Sequence, residues 1–243
     1  MSILVLGCGR TGTNMILESL RASDLLRATN PAEHRTIFRA PLRLPSNYLS
    51  KCDTCYIDNL SQVDRLLDGN PELFIIWTIR DLRDCSMSKI YRGQPGHDAG
   101  SLLADDASYE GCLADIRWMS KIYQHIVEKY SSRIKLVKME DVVLNYEKTM
   151  TNICNFCGID YIAEMKNFTS RYRGSVKRTK GARYNGIDKG QVNLYKRRQD
   201  VYGGFFINHN IDLDKLFAAL DNELVLFGYR QEETTQPYNN KER

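Results

Sequence analysis

The first stretch of the chain constrains its fold more than any other. An apolar run, Ile3 to Leu6, stands directly before a glycine-containing segment, Gly7 to Asn14, and apolar residues then return at helical spacing from Met15. This order predicts a buried strand, a tight turn and a helix. Such a turn directs several backbone N–H groups and the positive end of the helix dipole at one place. The stretch therefore predicts a phosphate or sulfate site.

The turn matches the dinucleotide fingerprint in part. Gly7, Gly9 and Gly12 satisfy G-x-G-x-x-G, which is typical of NAD(P)-dependent oxidoreductases. That pattern also requires a second strand ending in an acid about 20 residues further on. Glu33 has the right offset, but residues 30–32 in front of it predict a turn.

Two other templates fit the same turn. In a nucleoside triphosphate loop, Lys and then Ser or Thr follow the last glycine, whereas Thr13 and Asn14 stand here. The phosphate-binding lysine and the magnesium-binding hydroxyl are thus both missing. A third template carries its cation before the glycine, and Arg10 to Thr13 resembles the 5′-phosphosulfate loop of the sulfotransferases. The turn alone does not decide between the dinucleotide and phosphosulfate templates.

Length and charge limit the class of protein. The chain has 243 residues and ordinary apolar content, which predicts one α/β domain over residues 1–230 and a polar, disordered tail over 231–243. No apolar run is long enough for a membrane span, and no signal peptide precedes the first predicted strand, so we expect a cytoplasmic protein. The net charge of +4 suits an anionic ligand and does not require nucleic acid.

The cysteines raise the question of a metal. Seven are scattered along the chain, as expected of reduced thiols. Two C-x-x-C pairs, Cys52 with Cys55 and Cys154 with Cys157, have spacing that can hold zinc. They are far apart in sequence and the second pair follows a helical pattern, so we expect no metal site.

Strands alternate with helices, which predicts a parallel sheet with helices on both faces. The clearest strand is 73–79, and Arg80 follows it, at the carboxyl end where open α/β sheets bind ligands. Weaker strands are predicted at 36–38, within an otherwise loop-like region from 23 to 45, and at 55–57. A further strand is predicted at 134–138, and helices at 62–67, 85–91, 109–130, 146–156 and 211–226.

A basic segment covers residues 166–198. It contains eleven Lys and Arg against one acid, together with four glycines. A solvated basic face, a lid that closes on a multiply charged anion, and a nucleic-acid-binding module are all consistent with this composition.

Later motifs extend the resemblance to sulfotransferases. Residues 80–88, Arg-Asp-x-Arg-Asp followed by Ser88, resemble the family's 3′-phosphate motif. Residues 137–143 resemble its strand-Tyr-Glu-Asp-Leu segment, with Met139 where Tyr is usual. Residues 149–159 and 224–229 resemble its Phe-Leu-Gly helix and its closing Leu-Gly-Tyr. Because these motifs occur in order from residue 3 to about 230, the chain is identified as a member of the PAPS-dependent sulfotransferases, which implies a three-layer P-loop-like α/β fold.

The resemblance implies roles for particular residues. The co-substrate would be 3′-phosphoadenosine 5′-phosphosulfate (PAPS) and the product PAP, and Arg10 would lie at the bridging oxygen where charge develops. Arg80 and Ser88 would bind the 3′-phosphate. Backbone N–H groups for the 5′-phosphate would come from Thr11, Gly12, Thr13 and Asn14. No metal is required, since Arg and Lys can neutralise the leaving bisphosphate.

A late basic loop of the family also binds the 3′-phosphate through Arg-Lys-Gly. Here Arg178, Lys180 and Gly181 resemble it, but Thr179 is inserted. The insertion leaves Arg178, Lys180 and Arg183 as alternatives, of which we favour Lys180 and Arg178.

The base that takes the acceptor's proton has three candidates. Carbohydrate and tyrosine sulfotransferases use a Glu after the first helix, which Glu33 resembles, and His34 is the next candidate. Asp58 lies near the place of the histidine that cytosolic members use. The acceptor itself, a hydroxyl or an amine, and the oligomeric state are not specified by the sequence. An NAD(P)-dependent oxidoreductase, a nucleic-acid-binding module on 166–198 and a non-catalytic PAP-binding protein are the alternatives.

Overall fold

The computed structural model describes residues 1–39, 43–92, 109–168, 192–197 and 204–229, without the side chains of 29–33 and 92. Several predictions concern other parts of the chain. The polar tail 231–243 and residues Arg178, Lys180, Arg183 and Gly181 of the late basic loop lie outside the described residues.

A five-stranded parallel sheet forms the middle of the molecule. Its strands are β1 (Ser2–Gly7), β2 (Arg27–Glu33), β3 (Tyr48–Asp53), β4 (Leu73–Ile79) and β5 (Ile134–Lys138). They are ordered β2-β3-β1-β4-β5, and every neighbouring pair is parallel. The amino-terminal strand is therefore central, which explains its uninterrupted apolar sequence.

Helices connect the strands and cover the sheet. The helices predicted at 109–130 and 146–156 are confirmed. The described helices are α1 (Thr13–Leu20), α2 (Leu60–Gly69), α3 (Leu82–Arg92), α4 (Tyr109–Tyr130), α5 (Met139–Leu144), α6 (Tyr146–Cys157), α7 (Phe205–Asn208), α8 (Leu213–Ala218) and α9 (Asp221–Leu226). None of these helices has the length and apolar character that a bilayer crossing would need.

The core has one apolar cluster on each face of the sheet. Leu4 and Leu6 of β1 pack with α2, α4 and the carboxyl-terminal helices, whereas Ile3 and Val5 pack with α1 and α6. Adjacent residues of a strand point to opposite faces, so a strand covered on both faces must be apolar throughout. The predicted three-layer α/β fold is confirmed.

The region from 23 to 45, predicted to be mainly loop, contains a strand. Strand β2 occupies 27–33 and passes through the predicted turn at 30–32. Proline is compatible with this strand because β2 lies at the edge of the sheet, where one side of its backbone needs no partner. The strand expected at 36–38 is instead a turn, in which the Arg39 N–H donates to the Thr36 carbonyl (3.0 Å). Ile37 and Phe38 are buried there, so their apolar character indicated burial rather than a strand.

Two other boundaries differ from the prediction. Residues 54–56 form a single 3₁₀ turn, capped by the Asp53 carboxylate, which accepts the Cys55 N–H (3.2 Å), and the strand lies just before it as β3. The helix expected at 211–226 is divided into α8 and α9. Leu216, Leu220 and Leu224 are buried on both sides of the break, which is why the apolar spacing continued through it.

The two C-x-x-C pairs lie on opposite faces of the sheet. Cys52 belongs to one apolar cluster, and Cys154 and Cys157 belong to the other. The pairs therefore cannot share one zinc ion. All the cysteines are free thiols.

Candidate functional site

The loop after β1 is fastened to β4 by Thr11. The Thr11 hydroxyl donates to the Cys8 carbonyl (2.7 Å) and hydrogen-bonds the Thr78 hydroxyl (2.9 Å). A Cβ at Gly7 would lie 2.5 Å from the Thr78 Oγ and 2.6 Å from the Thr11 Oγ, so only glycine fits there. The loop's shape thus depends on a close approach between two strands.

The same loop exposes the start of α1. Gly12 caps this helix with a left-handed backbone (φ 89°) and has no side chain with which to satisfy the first-turn N–H groups. Thr13 and Asn14, the first two helical residues, are partly exposed. Arg10 is also left-handed (φ 78°) and is exposed. Exposed backbone at a helix start with a cation beside it is the arrangement that anion sites in proteins use.

Arg10 connects the loop to the helix after β4. Its Nε donates a hydrogen bond of 3.0 Å to the hydroxyl of Ser88, which is buried in α3. The two residues belong to the two motifs that sequence analysis assigned to the 5′ and 3′ ends of one nucleotide. The fold brings those motifs together.

Arg80 follows β4 directly, as predicted. Its guanidinium is buried and its Nη2 lies 3.4 Å from a carboxylate oxygen of Asp84, one helical turn further on. This ion pair gives Arg80 a structural role within its own motif. A guanidinium carries five N–H donors, so one such contact is compatible with phosphate binding.

Positive charge concentrates under the loop. The thiols of Cys8 and Cys85 are buried 3.7 Å apart. The hydrogen bond from Cys8, and then the charges of Lys89, Arg80 and Arg10, lower the pKa of Cys85. All three cations are therefore close enough to Cys85 to act on its thiol.

The first two base candidates lie at the end of β2. Glu33 is the last residue of that strand, and its side chain is outside the described part. His34 follows it, donates its backbone N–H to the Lys51 carbonyl (2.9 Å), and its Nδ1 hydrogen-bonds the Tyr48 hydroxyl (2.5 Å). Partial burial lowers the pKa of His34, so its imidazole is neutral near pH 7.

Asp58, the third candidate, is a surface residue. Its side chain is 52% exposed and pairs with Arg39 (3.5 Å). It also accepts a hydrogen bond of 2.9 Å from the Gln62 side chain at the start of α2. Both contacts are typical of a surface residue that stabilises a helix start.

Sequence analysis missed one acid at this edge. Asp53 ends β3 and is in register with Gly7, the first residue of the loop. Because β3 lies between β1 and β2, Asp53 is one strand from the loop and Glu33 is two strands away, or about 10 Å. The sequence does place an acid at the end of 48–53. Because the strand was predicted at 55–57 instead, Asp53 was not recognised as an acid at a strand end.

Strand order also bears on the oxidoreductase alternative. Glu33 does end a strand, contrary to the turn expected before it. In the dinucleotide fold, however, β2 is adjacent to β1, with order 3-2-1-4-5. Here β3 separates the two strands, so Glu33 is not placed to bind a ribose held by the loop.

Comparison with known proteins agrees with the motifs. The sequence model described as the sulfotransferase family matches residues 21–163, which include Arg80 and Ser88 but not the amino-terminal loop. Among curated protein sequences, none matches the chain.

Solved structures of similar fold carry the same family name. The sulfotransferase domain from the curacin biosynthetic pathway aligns with a TM-score of 0.59 at 13% identity, over 92% of this chain and 96% of that one. The sulfotransferase domain of the Synechococcus PCC 7002 olefin synthase gives 0.53 at 14%, over 90% and 94%. Mouse sulfotransferase SULT7A1 complexed with PAP gives 0.53 at 14%, over 94% and 87%. With a family match across more than half of its length and this fold, the chain belongs to the sulfotransferase family.

Proposed function

We propose that this protein transfers the sulfuryl group of PAPS to a hydroxyl or amine of an acceptor. The observation that carries the proposal is the hydrogen bond between Arg10 and Ser88. It joins the anion-binding loop after β1 to the helix that follows Arg80, as binding of one nucleotide with two separate phosphates requires.

Each group has a distinct task in the proposed reaction. Backbone N–H groups at Thr11, Gly12, Thr13 and Asn14 hold the 5′-phosphate, and Arg80 with Ser88 holds the 3′-phosphate. The acceptor oxygen or nitrogen attacks sulfur in line while the bond from sulfur to the bridging oxygen breaks. Arg10 stabilises the negative charge that develops on that oxygen. The products are the sulfated acceptor and PAP, and the acceptor's proton passes to a base.

Four residues are candidates for the base. Glu33 is the first candidate and His34 the second, and the lowered pKa of His34 favours its neutral, proton-accepting form. Asp53 joins them because its strand adjoins the loop. Asp58 is the weakest candidate, since its carboxylate is already paired with Arg39 and Gln62.

Ligand-dependent thermal stability tests the proposal. PAP should raise the melting temperature by mass action, whereas NAD and ATP should not. Stabilisation by NAD alone would support the oxidoreductase alternative, and steeply salt-dependent RNA binding would support the nucleic-acid alternative. Release of PAP from PAPS, measured across phenols, sugars, lipids and tyrosine peptides, would then identify the acceptor class. Binding of PAP without transfer to any acceptor would instead indicate a non-catalytic PAP-binding protein.

A further inference from the structure

A carboxylate next to Arg80 holds a segment from far along the chain. Asp84 is fully buried in α3, and its two oxygens accept the backbone N–H groups of Leu194 (3.0 Å) and Tyr195 (2.7 Å). The oxygen that accepts from Leu194 also faces the Arg80 Nη2 at 3.4 Å. One carboxylate therefore contacts both the proposed 3′-phosphate arginine and residues 192–197.

The neighbouring arginine of the motif grips the same segment. The guanidinium of Arg83 stacks on the Tyr195 ring at 3.7 Å from its centroid. The same guanidinium donates two hydrogen bonds to the Asp81 carboxylate, of 2.9 and 2.6 Å. Arg83 and Asp84, the second half of Arg-Asp-x-Arg-Asp, thus both hold residues 192–197, which we call the 192–197 segment.

Hydrogen bonds also hold the turn between β4 and α3, which carries Arg80 and Asp81. The Asp81 N–H donates to Glu140 (2.8 Å), and the other oxygen of Glu140 accepts from the Tyr229 hydroxyl (2.8 Å). These contacts tie the end of β4 to α5 and to the carboxyl-terminal end of the described chain. These hydrogen bonds restrain the backbone of the turn that carries Arg80, and Asp84 is a partner of the Arg80 guanidinium.

A buried carboxylate makes its partners interdependent. Burial raises the pKa of Asp84 to about 6, against the lowering effect of Arg80 and of the two amides. Removing any one partner leaves a charge without full compensation in a place that water does not reach. The guanidinium and the two backbone N–H groups therefore stabilise one another through the carboxylate that they share.

We propose that Asp84 is a positioning residue for PAPS binding, because it links the Arg80 guanidinium to residues 192–197 in one cooperative unit. This inference rests on the proposed function, since it assigns Arg80 to the 3′-phosphate. Asp84 does not touch the nucleotide in this scheme. Asp84 orients Arg80, which does, and it couples the anchoring of the 192–197 segment to the free energy of nucleotide binding. By linkage, a bound nucleotide must in turn strengthen that anchoring.

A double-mutant cycle on PAP affinity tests the link. Asp84→Asn keeps the side chain's shape and removes its charge, and it should weaken PAP binding by about 10- to 100-fold, the worth of a charged hydrogen bond. In an Arg80→Ala background the same change should have no further effect, since Asp84 acts through Arg80. Asp64→Asn is the control, because Asp64 also has several side-chain partners, His125, Lys129 and Tyr130, but belongs to α2 and contacts α4.

Hydrogen exchange gives a second measurement that needs no Asp84 variant. In the wild-type protein, PAP should slow amide exchange at Leu194 and Tyr195, and in Arg80→Ala it should not. Additive effects of the two substitutions, or unchanged exchange at these amides on PAP binding, would overturn the inference. If wild-type protein does not bind PAP, the proposed function fails. If it binds PAP but Asp84→Asn binds equally well, only the present inference fails.

Discussion

The guanidinium of Arg10 donates a hydrogen bond to the hydroxyl of Ser88, 78 positions away in sequence and 3.0 Å away in space. Neither residue type is unusual alone. Their contact places a cation of the glycine-rich loop on the helix that follows Arg80, so the two motifs predicted to bind anions lie side by side. Further consequences of this arrangement can be measured.

Substitution of Arg10 should separate catalysis from folding. Arg10→Ala removes the charge proposed for the bridging oxygen, and we expect turnover to fall by about 10²- to 10³-fold. Because Arg10 is exposed, the melting temperature of the Arg10→Ala variant should remain within about 2 °C of the wild-type value. Release of PAP from PAPS measures the first quantity and calorimetry the second. Full activity in this variant would contradict the proposed mechanism.

The two glycines Gly7 and Gly69 should respond in opposite directions to the same change. Gly7→Ala forces a methyl group to 2.5 Å from the Thr78 Oγ and 2.6 Å from its carbonyl, and should cost about 1–3 kcal/mol or more of unfolding free energy. Gly69→Ala lies at the end of α2 with nothing within 4 Å of the added carbon, and should be neutral or stabilise by about 0.5–1 kcal/mol. Urea unfolding compares them. Equal effects would mean that the loop is not packed as described.

The base should be revealed by turnover measured at saturating PAPS. Glu33→Gln should lower kcat at least about 10²-fold and leave PAP affinity unchanged, as for loss of a general base. Unchanged turnover would transfer the role to His34, Asp53 or Asp58, tested by His34→Gln, Asp53→Asn and Asp58→Asn. If His34 is the base, kcat should rise with pH through a value below 6.5 and level off above it, because burial lowers its pKa.

Asp84 should give the protein a distinctive pH dependence of stability. Its pKa is about 6 in the folded protein and 3.8 without burial, so between these values the folded state binds more protons than the unfolded state. Its contribution to the unfolding free energy must then decrease as pH rises from about 4 to 6 and stay constant above. The difference between wild type and Asp84→Asn, from urea unfolding at several pH values, should follow this course. A difference independent of pH would show that the carboxyl group titrates normally.

The sequence predicted the central part of the fold because burial on both faces leaves a clear mark. Residues 73–79 are apolar without alternation, and only a covered parallel strand or a buried helix has that composition. Strand β2 was missed for the opposite reason. It is at the edge, contains Asn30 and Pro31, and is paired irregularly with β3, so its sequence resembles a turn.

Local patterns predicted candidate site residues that follow a strand, and missed those whose position depends on the order of the strands. Arg10, Arg80 and Ser88 were placed by local patterns, and the structure brings Arg10 and Ser88 into contact. Asp53 was not found, because its closeness to Gly7 comes from β3 lying beside β1, which no local pattern encodes. The contact of Asp84 with residues 194 and 195 spans more than a hundred positions and likewise leaves no local trace.

The register of the parallel strands determines how far each strand end extends toward the candidate site. Gly7 and Asp53 are paired across β1 and β3, and Leu6 is paired with Trp77 of β4, three residues before Arg80. Deleting one residue inside β4 would withdraw Arg80 by about 3.3 Å and turn alternate side chains to the wrong face. The length of each interior strand therefore determines where the candidate site residues at its end lie, so insertions and deletions inside these strands should move the site as surely as a substitution changes it.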